Sequence, residues 1–96
     1  MTHTVDDRTT LQCDIMLEGM AAIRNISGAL LAWDWKDDAE RLSAIYGISE
    51  ALYNFDVRSD VALGVTRTSL LKLREDHPEI ANMCPQAFAW VDSAEG

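Results

Sequence analysis

The chain is poor in the residues that build reactive sites. It has two cysteines and two histidines, and the four are scattered as His3, Cys13, His77 and Cys84. Structural zinc usually wants four ligands in paired spacings such as C-x2-4-C or H-x3-5-H, so the pattern predicts no metal site. Neither H-E-x-x-H nor E-x-x-H occurs, which removes the carboxylate-bridged metal centres of helical bundles. A phosphate-binding glycine loop and a G-x-S-x-G elbow are both missing. These gaps predict a protein without cofactor or catalytic activity.

Basic residues are also scarce, eight against sixteen acids, for a net charge of −8. The balance is uneven: residues 1–56 carry −6, residues 57–74 carry +3 and residues 75–96 carry −5. A chain so charged is repelled by nucleic acid and by anionic membranes, and is attracted to a basic protein surface. The plainer meaning of the acidity is solubility.

Long apolar runs are missing too. None exceeds five residues, the length of ALLAW, residues 29–33, far short of the ~20 residues of a membrane helix. The N-terminus, MTHTVDDRTT, has no apolar segment of the kind that directs export. The expectation is a cytoplasmic protein with no membrane association, whose two cysteines stay reduced. With only two prolines, five glycines and 48% apolar residues, the sequence predicts one small helical domain over 1–96. Disorder is expected only in tails at 1–7 and 94–96.

Periodicity then gives an all-α fold of about four helices. Residues 9–33 read as the first, started by Thr9 or Thr10. Leu11, Ile15, Met16, Ala22, Ile23, Ile26, Leu30 and Trp33 lie on one side, and Leu17, Met20 and Leu31 widen it. Its apolar arc of roughly 240° far exceeds the ~100° stripe of an ordinary surface helix. Gly19 weakens the helix; Gly28 and Ala32 offer a place for close packing. Residues 38–55 read as the second helix, with Ile45, Ile48, Leu52 and Phe55 in one sector and Leu42, Tyr46 and Tyr53 in the next. Residues 57–76 are helical, as one helix or as two with a break near Gly64. A short helix follows Pro78, Cys84-Pro85 ends it, and residues 86–93 close the chain with Phe88, Trp90 and Val91 as anchors.

The stretch LLAWDWKDDAERL, residues 30–42, joins the first two helices into an antiparallel hairpin. Asp37 and Glu40 have capping-box spacing, Asp37 and Asp38 suit the positive end of a helix dipole, and Asp37 is placed to pair with Arg41. Trp33 belongs to the arc of the first helix. Trp35 need not, and is the aromatic candidate for partner binding, although packing over the hairpin end is the favoured role for it. Asp34, Asp37 and Asp38 are the candidate acidic patch.

Residues 62–73, ALGVTRTSLLKL, resemble the turn and second helix of a helix-turn-helix. The resemblance implies a turn at Gly64, with Thr66, Arg67, Ser69 and Lys72 facing a DNA groove. Asp60 departs from it, since such motifs normally have a small buried residue there. The competing explanation is that Lys72 and Arg74 complement a helix C-terminus.

Two wide apolar arcs in so short a chain exceed what four helices can bury. The preferred expectation is therefore a non-enzymatic interaction protein, homodimeric through its first hairpin, that covers a basic partner surface as inhibitors, antitoxin-like proteins or adaptors do. The alternative is a DNA-binding regulator using residues 60–74.

Overall fold

The computed structural model describes residues 7–93. Among them are five helices and no strand: α1 (Asp7–Ala32), α2 (Asp38–Tyr53), α3 (Asp60–Asp76), α4 (Glu79–Met83) and α5 (Pro85–Asp92). The all-α expectation is met. Helix α1 already includes Asp7, so neither Thr9 nor Thr10 starts it. The remainder of the two expected tails, residues 1–6 and 94–96, lies outside the described residues, as does His3.

The fold is elongated, 59 × 22 × 20 Å, with a radius of gyration of 14.7 Å. A compact chain of this length would have about 12–13 Å. The longest element is α1, whose 26 residues span about 39 Å at 1.5 Å per residue. Helices α2, α4 and α5 pack against α1, and α2 packs most extensively against α3. The core is formed by Ile23, Ile26 and Leu30 of α1, Leu70 and Leu73 of α3, Ile80 of α4, and Phe88, Trp90 and Val91 of α5. All three anchors expected near the C-terminus are thus buried. Cys84 is also buried; its thiol donates to the Ile80 carbonyl at 3.2 Å, and burial raises its pKa. Pro85 then opens α5, as its fixed φ and missing N–H favour.

Helix α1 ends without a glycine, and no described residue has positive φ. Instead the Trp35 indole N–H donates to the Leu30 carbonyl at 2.7 Å, satisfying an acceptor that a helix end leaves orphaned. The Trp35 ring also meets His77 edge-on, with centroids 4.9 Å apart. His77 is the buried C-cap of α3, and its N–H donates to the Leu73 carbonyl. Trp35 thus ties the α1–α2 connection to the far end of α3.

Glycine plays a different part from the one expected. Gly28 has nothing within 4 Å of where a β-carbon would stand, so no helix uses it for close approach. Gly19 is the tight position, lying beneath Phe55 and Trp90. Gly64 sits inside a continuous α3, and open space surrounds it.

The stretch Thr10–Ala32 contains an 18-residue window of mean hydropathy 1.3 and is long and apolar enough, by length and composition, to cross a bilayer. No unbroken apolar run marks this stretch in the sequence, because isolated polar residues interrupt a window that is apolar on average. The core helix of a folded protein meets the same test, and one face of α1 packs into the core here.

Candidate interaction surface

Helix α2 faces the core with its smallest residues. Ala44 and Ala51 are fully buried, and a β-carbon at Gly47 would stand 3.0 Å from a Leu73 methyl. The Thr66 hydroxyl, itself fully buried, donates to the Ala51 carbonyl at 2.8 Å and fastens α3 to this side of α2. This close approach needs small side chains and turns the large ones outward. Leu42 is 61% exposed, Ile45 44%, Tyr46 66%, Leu52 61% and Tyr53 87%. Ile45 and Tyr46 follow Leu42 by three and four residues, and Leu52 and Tyr53 follow them by seven, so all five share one continuous face. The sequence had marked these residues as the apolar sectors of the helix; the alanines and glycine that pack against α3 were overlooked because small residues carry little weight in an apolar pattern.

The neighbouring flank of α1 is likewise open. Its buried side is Ala22, Ile23, Ile26, Ala29 and Leu30, while Met16, Leu17, Met20 and Leu31 stay exposed. Between the two helices runs an apolar groove of about 650 Å³. Leu30 and Leu31 line it from α1, Ile45 and Ile48 from α2, and Trp33 and Trp35 from the connection, with Asp34 and Arg41 as its charged groups.

The two tryptophans differ in what they contact. Trp33 is exposed at the groove, because the first helix stops one residue before it. Trp35 is half-buried against the core and hydrogen-bonded, the packing role that the sequence allowed for it. Asp34 and Asp37 of the connection and Asp38, the first residue of α2, are all exposed. Asp37 is the N-cap of α2, its carboxylate accepting from the Ala39 N–H at 2.9 Å. The expected Asp37–Arg41 ion pair is not formed; Arg41 lines the groove instead. None of the three Arg or Lys ion pairs among the described residues, nor the His77–Glu79 contact, engages this acidic stretch.

The residues of the helix-turn-helix resemblance are arranged otherwise than it implies. The turn expected at Gly64 is absent, because α3 runs unbroken from Asp60 to Asp76. Thr66 faces α2 instead of solvent. The Arg67 guanidinium lies over the Trp90 ring at 4.4 Å, its Nε is buried without a hydrogen-bond partner, and burial lowers its pKa. Ser69 is half-buried, and Lys72 pairs with Asp76 at 3.5 Å. Arg74 makes a bidentate bridge to Asp92 of α5 at 2.9 and 3.0 Å, so it ties α3 to α5.

Both cysteines are free, Cys13 exposed and Cys84 buried. Among the described residues no three His, Cys, Asp or Glu side chains gather as a metal ion would require. Compared with protein-family models, with curated proteins and with solved structures, the chain has no match in any of the three.

Proposed function

We propose that this chain is a non-enzymatic protein-interaction module that works as a homodimer, with the outward face of α2 and the adjoining flank of α1 as its association surface. The observation that carries this reading is the orientation of α2. Five large apolar side chains point to solvent from a helix whose inner side is alanine and glycine, and contiguous exposed apolar patches mark interaction sites. Self-association removes that surface from water. It also leaves the acid-rich connection of each copy, with Asp34, Asp37 and Asp38, available to a basic partner surface.

Light scattering during size-exclusion chromatography at micromolar concentration tests the first part. A mass near twice 10.7 kDa is expected, and a mass of one chain across the concentration range would overturn it. The second part is tested by titrating the protein with a lysine-rich peptide. Binding should weaken with salt and with the Asp34→Asn/Asp38→Asn double variant.

A further inference from the structure

The outward face of α2 has an internal symmetry. An aliphatic residue followed by tyrosine occurs twice, as Ile45-Tyr46 and Leu52-Tyr53. The two pairs lie seven residues apart, on either side of Ser49. Ser49 is exposed, small, and already satisfied, its hydroxyl donating to the Tyr46 carbonyl at 2.8 Å. We infer that two copies associate through α2 itself, antiparallel, with the two-fold axis passing at Ser49. This rests on the self-association reading above and specifies its geometry.

Three observations support the arrangement. A two-fold interface must be self-complementary. Antiparallel crossing at Ser49 brings each Tyr46 onto Leu52 of the other copy, and each Ile45 onto Tyr53, so every tyrosine meets an aliphatic side chain. The serine at the centre lets the helices approach closely. Next, the exposed parts of Leu42, Ile45, Tyr46, Leu52 and Tyr53 amount to on the order of 700 Å², near the ~800 Å² that each partner contributes to a standard interface.

Charge then selects the direction. Between Leu42 and Tyr53 the only charged residue is Glu50, at the edge of the face, whereas residues 34–41 at the N-terminal end of α2 carry four acids against Lys36 and Arg41, a net of −2. Parallel pairing would bring those acidic ends together. With the axis at Ser49, antiparallel pairing puts each Asp38 11 residues from it, so the two acidic ends stand ~33 Å apart, beyond the Debye length of ~8 Å at physiological salt.

Disulfide trapping tests the inference. In a Cys13→Ser background, Ser49→Cys is expected to form a covalent dimer under mild oxidation. Ile45→Cys alone should not, but mixed with Tyr53→Cys it should give the crossed dimer. Self-linking of Ile45→Cys would mean parallel pairing and would overturn the inference. So would a dimer mass by light scattering with no link at Ser49, which leaves the self-association reading standing. A single-chain mass for the unmodified protein would remove both.

Discussion

Gly19→Ala places a methyl group where α1 passes beneath two aromatic rings. The new β-carbon would stand 2.6 Å from Phe55 Cζ and 2.9 Å from Trp90 Cζ2. Carbon atoms rest about 3.5–4.0 Å apart, so the rings must retreat by roughly 1 Å. They have little room to do so. Phe55 meets Trp90 edge-on at 6.4 Å, and the Arg67 guanidinium covers the Trp90 ring. Overpacking of this kind costs about 1–3 kcal/mol. Against it stands the gain of replacing glycine by alanine inside a helix, about 0.8–1.0 kcal/mol. The expected net is a loss of about 0–2 kcal/mol.

Two control substitutions isolate the packing effect. Gly28→Ala and Gly64→Ala meet no atom within 4 Å, so they should show the helix gain alone. At about 4–8 °C per kcal/mol for a domain of this size, both controls should melt several degrees above the parent. Gly19→Ala should melt at or below it, and below both controls by the full overpacking cost. Thermal unfolding followed by far-UV circular dichroism, at one fixed protein concentration because association shifts Tm, reads all three. If Gly19→Ala raised Tm as much as Gly64→Ala does, Phe55 and Trp90 would not be seated over Gly19, and the α1–α5 packing described above would be wrong.

Other consequences follow from single contacts. Trp35→Phe keeps an aromatic ring beside His77 but leaves the Leu30 carbonyl without its donor; a loss of about 1–3 kcal/mol in denaturant unfolding is expected, and an unchanged midpoint would refute the helix-ending role of the indole. The Arg74 guanidinium holds the Asp92 carboxyl below its ordinary pKa. A carboxylate whose pKa is lower folded than unfolded contributes its stability above the unfolded value, about 3.9, and loses it as pH falls through the folded value. Parent and Asp92→Asn should therefore differ most in urea stability near neutral pH and converge as pH drops below about 4, whereas a gap that persisted in acid would show the bridge is not its source.

Much of the fold is legible in the sequence because it rests on local signals. The helix boundary at Asp37 follows from a capping residue whose carboxylate reaches its own backbone two residues on. The stop at Cys84-Pro85 follows from proline's ring. Phe88, Trp90 and Val91 could be named as anchors because a short apolar helix at the end of a small domain has little else to do than bury them. The excess of apolar surface on the first two helices was also visible, as arcs too wide for one core.

Which part of each arc turns inward was not legible. Periodicity ranks residues by hydrophobicity, so it favoured Ile45, Leu52 and Tyr53 over Ala44, Gly47 and Ala51. Tertiary packing chose the small residues, because α3 comes close enough for Leu73 to rest on Gly47 and for Thr66 to reach the Ala51 carbonyl. The roles of Trp33 and Trp35 were settled the same way, by which indole could reach the last turn of α1. The sequence by itself determined that this protein is a set of amphipathic helices with more apolar surface than it can hide. Only the tertiary structure decided that the surplus lies on the outer face of α2 and the neighbouring flank of α1, since that depends on the distance of closest approach between helices, which no single helix encodes.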